Sequence, residues 1–190
     1  MNDTKILKDG LNRLNLNVSK SQFQKLLNYA ELVKEGNQWV HLVSKRDENR
    51  IVSKHILESL QVVPYLPEGC RCADVGSGAG FPGIPVKIVR PDIDMTLIES
   101  NKKKALFLIE TIAELRLRGI KIVADRVTNV DGKYEYLLLR CGEDLEKLIS
   151  ELTSLMTKNT HLLLISSHQN PVILGPESVF KKSINLQKRS

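Results

Sequence analysis

The chain has 190 residues and a mass of 21.4 kDa, enough for one domain with a full hydrophobic core plus a small appendage, and too little for two ordinary independent domains. A formal net charge of +6 and a pI near 9.2 favour a polyanionic partner such as RNA. One Trp, four Tyr and four Phe argue against a surface built mainly from base-stacking aromatic rings. The opening residues contain no apolar leader and no later run is long enough to span a membrane, so we expect a cytoplasmic protein without a membrane partner. We also expect a monomer.

The first third of the chain predicts helices. Apolar residues recur at helical spacing on two stripes, formed by Ile6, Leu7, Leu11 and Leu14 and then by Phe23, Leu26, Leu27, Ala30 and Val33. Ser19 is expected to cap the second helix and Gly36 to end it. A third helix is predicted over about 47–63, followed by a Pro- and Gly-containing link. We therefore assign residues 1–69 to an N-terminal helical extension.

From residue 70 onward, predicted strands and helices alternate. The predicted strands are 71–75, 95–99, 120–124, 134–140 and 161–166, and the predicted helices are 82–89, 101–117 and 143–156. This alternation indicates an α/β fold with a doubly wound, mostly parallel, Rossmann-like sheet over 70–190. Ligand sites are expected at the carboxyl ends of the strands. The tail 179–187 is expected to return as one antiparallel strand.

Residues 73–83, Ala-Asp-Val-Gly-Ser-Gly-Ala-Gly-Phe-Pro-Gly, are typical of a strand that runs through a glycine-dense turn into a helix. Gly78, Gly80 and Gly83 match the spacing G-x-G-x-x-G, which by itself normally indicates a dinucleotide. Asp74, at the end of the strand, would repel a pyrophosphate and attract an ammonium or sulfonium group. S-adenosylmethionine carries both cations.

Glu99 ends the next predicted strand, and its carboxylate suits the ribose hydroxyls of a dinucleotide and of S-adenosylmethionine equally. It therefore does not distinguish between these two cofactors. The turn and this strand end together predict a nucleoside cofactor site. Its residues are Asp74, Gly76, Ser77, Gly78, Gly80, Phe81 and Glu99.

The stretch 74–85, Asp-Val-Gly-Ser-Gly-Ala-Gly-Phe-Pro-Gly-Ile-Pro, resembles the glucose-inhibited division protein B family, the bacterial small-subunit ribosomal RNA guanine-N7 methyltransferases. Further similar motifs are 54–60, 97–100, Lys103-Lys104, Phe107-Leu108, Arg126 and Leu139-Arg140. The resemblance runs from about 23 to 155. It implies a class I methyltransferase core that takes S-adenosylmethionine as cofactor and methylates guanine N7 in 16S ribosomal RNA, free or within the small ribosomal subunit.

The resemblance also implies roles for particular residues. The family's pattern implies cofactor contacts at Gly76, Phe81, Val127, Thr128 and Arg140. Arg126 and Arg140 are implied to lie near the reacting centre and are the candidate catalytic residues. Thr128 stands where the family has glutamate, so only a backbone contact carries over. Lys182 stands where the family has arginine, and Lys182 and Lys103 are the candidate RNA contacts.

Each of these residues has a plainer interpretation. Arg140 also fits an ion pair with a neighbouring carboxylate, and Arg126 a surface charge. Lys103, within the run 102–104, also fits a solvated helix surface, and His55 fits a structural role beside Ile56 and Leu57. Guanine N7 already holds an in-plane lone pair, so its methylation needs alignment more than a general base, and the lack of an obvious catalytic dyad does not count against the assignment.

Two further hypotheses concern function, and one expectation concerns the cysteines. The family's glycine and lysine motifs around the fifth strand are replaced at 158–160 and 166–168, which motivates a degenerate member that binds RNA or cofactor without turnover. A nicotinamide-dependent oxidoreductase is disfavoured by the charge of Asp74. Cys70, Cys72 and Cys141 lack the paired spacing of a zinc site, so we expect thiols and no metal.

Overall fold

Helices form the first part of the chain in the computed structural model, which describes residues 2–140, 145–165 and 171–178. Helix α1 covers Asp3–Arg13 and helix α2 covers Lys20–Gly36. The Ser19 hydroxyl accepts from the backbone N–H of Gln22 at 3.2 Å, while the Gln22 side chain accepts from the Ser19 N–H at 2.8 Å. This reciprocal pair satisfies two N–H groups that a helix start leaves open. The predicted start and end of α2 are confirmed.

The predicted third helix is present but irregular. It consists of a 3-10 turn at Lys45–Arg50, a π-helical turn at Ile51–Ile56 and the short α-helix α3 at Leu57–Leu60. The spacing of the buried apolar residues agrees with this π-helical turn. Ile51, Val52, Ile56 and Leu57 are all buried, and they form two apolar pairs five residues apart, which is the spacing of the hydrogen bonds in a π turn. One regular α-helix over 47–63 was therefore the wrong prediction.

The core is a six-stranded sheet of order β3-β2-β1-β4-β5-β6. Its strands are β1 (Arg71–Val75), β2 (Asp94–Ile98), β3 (Ile120–Val123), β4 (Tyr136–Leu139), β5 (His161–Leu164) and β6 (Val172–Leu174). Strands β1 to β5 are parallel, and β6 is antiparallel to β5. The doubly wound fold is confirmed. Strand β6 was not predicted, and the return strand expected at 179–187 lies outside the described residues.

Helices cover both faces of this sheet. Helices α4 (Gly83–Val89) and α5 (Lys102–Glu114) share one buried cluster with the N-terminal helices, whereas α6 (Leu145–Leu152) belongs to a second cluster. The first cluster contains Leu26, Tyr29, Ile84, Leu97 and Phe107, and the second contains Ala73, Ile98, Leu137, Ile149 and Leu162. Among the described residues, no helix combines the length and apolar character needed to cross a membrane.

Tyr29 connects the N-terminal helices to the turn after β1. Its ring is fully buried on α2, and its hydroxyl donates to the backbone carbonyl of Ala79 at 2.7 Å. The ring also packs against Phe81, with the centroids 5.3 Å apart. The N-terminal helices therefore help to fix the shape of the glycine turn.

Replacing Tyr29 with phenylalanine is expected to lower the free energy of unfolding by about 1–3 kcal/mol, because the buried Ala79 carbonyl would lose its donor. Urea denaturation measures this change. Tyr65→Phe is the matched control, since the Tyr65 side chain is exposed and its hydroxyl makes none of the hydrogen bonds found among the described residues. Equal stability of the Tyr29 variant and the wild type would contradict the expectation.

Candidate functional site

The glycine turn after β1 folds back onto the end of β2. The N–H groups of Gly76 and Ser77 both donate to the Ile98 carbonyl, at 2.9 and 3.1 Å. Gly76 and Gly78 have φ values of +71° and +57°, a region that side chains rarely adopt. Nothing lies within 4 Å of a Cβ built on Gly76, so space is open beside the backbone there. The turn thus exposes main chain toward the carboxyl ends of the strands.

Asp74 is buried beneath this turn, with 1% of its surface exposed. Its Oδ2 accepts from the Gly83 N–H at 2.9 Å, at the first residue of α4. Its Oδ1 has no hydrogen-bond partner among the described residues. Burial raises the pKa of this carboxyl to about 7, although the Gly83 N–H opposes the shift. The carboxylate therefore occupies the helix start that a pyrophosphate would need, and its other oxygen is buried without a hydrogen-bond partner among the described residues.

Glu99 follows β2 and bridges two backbone segments. Its Oε2 accepts from the Gly78 N–H and its Oε1 accepts from the Asn101 N–H, each at 2.7 Å. The side chain is buried, with 7% of its surface exposed. Each carboxylate oxygen can accept more than one hydrogen bond, so Glu99 can hold the turn and still accept from a ligand.

A cavity of about 400 Å³ opens at the carboxyl ends of β1, β2 and β3. Its lining combines the apolar Val75, Ile98 and Val127 with polar groups. The lining residues are Val75, Gly76, Ile98, Ser100, Asp125, Arg126, Val127, Thr128 and Glu151. Four residues predicted from the sequence, Gly76, Arg126, Val127 and Thr128, are thereby brought together. Ser100, Asp125 and Glu151 were not predicted as site residues, although Ser100 lies within the family-like motif at 97–100.

Arg126 and Arg140 lie on opposite sides of the glycine turn. Arg126 follows β3 and is exposed at the first cavity, while Arg140 follows β4. Strands β2 and β1 separate β3 from β4, and neighbouring strands are about 4.8 Å apart, so the two backbones are separated by roughly 14 Å. Arg126 lines the cavity, whereas Arg140 is not among the described residues that line it.

Arg140 is held by Glu58. Its Nη2 donates to Glu58 Oε2 at 2.5 Å and to the Lys54 carbonyl at 3.2 Å, and the guanidinium lies 5.9 Å from the Phe81 ring centre. Nη1 is buried and has no partner among the described residues. Burial lowers the pKa of Arg140, and the Glu58 carboxylate opposes that shift. The ion pair considered for Arg140 is thus present, and the Nη1 group makes no hydrogen bond with the described residues.

His55 stacks on Phe81, with ring centroids 5.0 Å apart and an interplanar angle of 24°. Its Nε2 is 3.8 Å from Asp47 Oδ2, while the Asp47 carboxylate accepts from Lys54 at 2.9 Å. Burial, followed by the charge of Arg140, lowers the pKa of His55 to about 4. The imidazole is therefore neutral near pH 7, with both ring nitrogens buried and without a hydrogen-bond partner among the described residues.

The other predicted site residues differ in whether they face the protein interior or the solvent. Ser77 donates its hydroxyl to the Asp74 carbonyl at 2.9 Å, and a Cβ on Gly80 would lie 2.6 Å from Ile84 Cδ1, so both face the protein interior. Lys103 is exposed on the first turn of α5, and Lys182 lies outside the described residues. Sequence reasoning missed Glu58 as the partner of Arg140, although Glu58 lies within one of the family-like motifs.

The described cysteines are buried thiols, with the sulfur atoms of Cys70 and Cys72 3.5 Å apart, and Cys141 lies outside the described residues. Within the described parts of the chain, no group of three or more His, Cys, Asp or Glu side chains could hold a metal ion.

Comparison with known proteins matches residues 22–174 to the family model described as rRNA small subunit methyltransferase G. The chain is 40% identical over 152 residues to the ribosomal RNA small subunit methyltransferase G of Chromobacterium violaceum, covering 79% of this chain and 73% of that one. It is 34% identical over 169 residues to the same-named protein of Dichelobacter nodosus, covering 88% and 80%. The fold is similar to a Plasmodium falciparum structure described as a protein-L-isoaspartate O-methyltransferase with S-adenosyl-L-homocysteine, with a TM-score of 0.54, 16% identity and coverage of 91% and 93%.

Proposed function

This chain belongs to the rRNA small subunit methyltransferase G family, and from that premise we propose that it transfers a methyl group from S-adenosylmethionine to N7 of a guanine in 16S ribosomal RNA. The observation that carries the proposal is Asp74. Its buried, partly unpaired carboxylate lies beneath a glycine turn and occupies the start of α4. That arrangement suits a positively charged nucleoside and opposes a pyrophosphate.

The residues at the carboxyl edge fit S-adenosylmethionine. Asp74 Oδ1 is a buried acceptor without a hydrogen-bond partner in the described part of the chain, and the backbone at Gly76 borders open space. Glu99 can accept from ribose hydroxyls, while Val127 and the backbone of Thr128 can contact the adenine. We assign cofactor contacts to Asp74, Gly76, Ser77, Gly78, Gly80, Phe81, Glu99, Val127, Thr128 and Arg140. When bound, the cofactor supplies an electrophilic methyl group on a sulfonium.

The chain's own contribution to the chemistry is positioning. Guanine N7 carries a lone pair and no proton, so no side chain has to remove one. An arginine can donate to O6 or to a phosphate, and it has to leave N7 itself free. Arg140, fixed by Glu58 against Phe81, has an unused donor at Nη1, while Arg126 lies exposed at the cavity. We assign these two arginines to holding the target nucleotide.

The proposed partner is small-subunit ribosomal RNA, which agrees with the net charge of +6. Lys103 and Lys182 are proposed contacts to it. The protein is proposed to act as a monomer, with residues 1–69 as a helical extension of the core at 70–190. The cytoplasmic location expected from the sequence stays a prediction.

In cells, deletion of this gene is expected to remove one N7-methylguanosine from 16S ribosomal RNA, as measured by mass mapping of digested RNA. Reintroduction of the wild-type gene should restore it. Retention of every N7-methylguanosine in the deletion strain would refute the assigned substrate.

Calorimetry with S-adenosylhomocysteine, paired with tritiated-methyl transfer to ribosomal particles and to naked RNA, separates the enzyme from the degenerate binder. Binding without incorporation would favour the non-catalytic alternative.

A further inference from the structure

A second cavity lies at the opposite edge of the sheet and is lined by cations. It has a volume of about 470 Å³, and its lining includes Ser19, Ser21, Lys25, Lys87, Arg116 and Arg118; none of the described residues that line it carries a carboxylate. These residues come from the start of α2, the end of α4 and the link between α5 and β3. Four cationic side chains around one cavity form a site for an anion.

Three of these four cations are available to a ligand. Lys25, Arg116 and Arg118 take part in none of the ion pairs and none of the side-chain hydrogen bonds found among the described residues. Arg116 and Arg118 are exposed, and Lys25 is half-buried. The fourth cation, Lys87, is buried and donates to the carbonyls of Pro91 and Ile93. The Asp92 and Asp94 carboxylates lie close enough to attract Lys87, so a bound anion would be held mainly by the other three cations.

The start of α2 adds to this positive potential. The helix has 17 residues, and Ser19 caps its first turn. The side-chain amide of Gln22 donates to the carbonyls of Ile88 and Val89 at 3.1 and 3.0 Å, which fixes the helix start beside the end of α4. The positive end of the helix dipole therefore lies at the cavity together with the side-chain cations.

The distance from the cofactor cavity limits what the anion can be. The cofactor cavity lies at the carboxyl ends of the parallel strands, whereas the segments around the second cavity lead into the amino ends of β2 and β3. Strands of four to five residues span about 15 Å at 3.3 Å per residue. Charges along one strand of a DNA duplex are about 3.4 Å apart on the helix axis, so on that scale this span corresponds to several nucleotides of a nucleic acid strand.

We propose that this cavity binds a backbone phosphate of the RNA substrate, several nucleotides away from the methylated guanine. The inference rests on the proposed function, because that function supplies the RNA. A free phosphate ion shares the same chemistry. The RNA backbone is the source that fits a substrate extending across the molecule.

The test compares Arg116→Gln/Arg118→Gln with the matched control Lys5→Gln/Lys8→Gln. Both double variants remove two positive charges from exposed side chains, and the control residues do not line the cavity. The readouts are the affinity for a 16S ribosomal RNA transcript by fluorescence anisotropy, its salt dependence, and the KM for that transcript. Thermal melting checks that each variant folds.

The cavity variant is expected to lose about 10-fold in RNA affinity at 0.1 M salt, with a matching rise in KM and an unchanged affinity for S-adenosylhomocysteine. The slope of log K against log salt is expected to fall by about one to two. The control should lose clearly less in affinity.

Equal losses in the two double variants would show an effect of net charge alone and overturn the inference. Calorimetry with inorganic phosphate is the second arm: phosphate binding that the cavity variant abolishes, without any change in RNA affinity, would identify a free-anion site and also overturn it. Failure of the wild type to methylate the transcript would count against the proposed function instead, because the binding comparison needs no turnover.

Discussion

Replacing Asp74 with asparagine is expected to weaken cofactor binding by about 10- to 100-fold while making the cofactor-free protein more stable above pH 7. A hydrogen bond or contact to a charged group contributes about 1.5–3 kcal/mol, and the neutral amide loses it toward the cofactor's cation. The amide still accepts from the Gly83 N–H, where the carboxylate now accepts at 2.9 Å. Calorimetry with S-adenosylhomocysteine measures the first effect and urea denaturation the second.

The gain in stability follows from the direction of the pKa shift of Asp74. Its pKa is raised by burial to about 7 in the folded protein, from an ordinary value of 3.8. Between these two pH values the unfolded chain has released the proton and the folded chain keeps it, so stability falls as the pH rises through this window. Each pH unit of that window is equivalent to about 1.4 kcal/mol. Asparagine removes the whole effect.

The pKa shift of His55 changes the stability of the protein in the opposite direction over part of the same pH range. Burial lowers its pKa to about 4 from 6.5, so between these values the unfolded chain binds the proton and the folded chain does not. Stability then rises with pH. In the wild type the two slopes nearly cancel between about pH 4 and 6.5. In the Asp74→Asn protein the contribution of His55 should become visible as a rise of stability with pH.

Asp92→Asn is the control variant, for which we expect the opposite change in stability. The Asp92 carboxylate accepts from Arg90 and from the Gly69 N–H, and the Arg90 guanidinium lowers the pKa of Asp92 below its usual range. Its replacement should therefore reduce stability near pH 7 and leave cofactor affinity unchanged. If the Asp74 variant bound S-adenosylhomocysteine as tightly as the wild type, the assigned role of this carboxylate would be wrong.

Much of the fold could be predicted from local sequence. The buried run of β1 ends at Asp74 and a glycine turn, and the Ser19 and Gln22 capping pair marks the start of α2. Features that depend on tertiary context could not be predicted in this way. The π turn follows from the burial of residue pairs five apart. Strand β6 is short and has exposed Val172 and Ile173 at the edge of the sheet, so it lacks a clear apolar alternation.

The same distinction between local sequence and tertiary context applies to the residues of the candidate site. The residues of the glycine turn and Glu99 could be identified because they follow two adjacent parallel strands, whose carboxyl ends meet at one edge. The pairing of Glu58 with Arg140 joins residues 82 positions apart, and no local spacing predicts it. The burial of Asp74 Oδ1 and of both His55 nitrogens likewise depends on how the N-terminal helices cover the turn.

The contribution of the Glu58–Arg140 pair to stability can be measured separately from its contribution to methyl transfer. Arg140→Met is expected to lower the free energy of unfolding by about 3 kcal/mol, because it leaves the mostly buried Glu58 carboxylate without this cation. Methyl transfer to 16S ribosomal RNA should fall at least 100-fold. Arg71→Met is the control: the Arg71–Asp94 pair is 3.7 Å long and both side chains are about half exposed, so its loss should cost about 1 kcal/mol or less.

Adding Glu58→Gln to Arg140→Met is expected to recover most of the lost stability, since a neutral amide is less costly to bury than a carboxylate that has lost the Arg140 cation. Methyl transfer should stay low, because the donor at Arg140 Nη1, which has no partner among the described residues, is still missing. Recovery of both stability and transfer in the double variant would mean that Arg140 acts only through folding. Stability that stays equally low in both variants would mean instead that burial of the charge of Glu58 is not the cause of the loss.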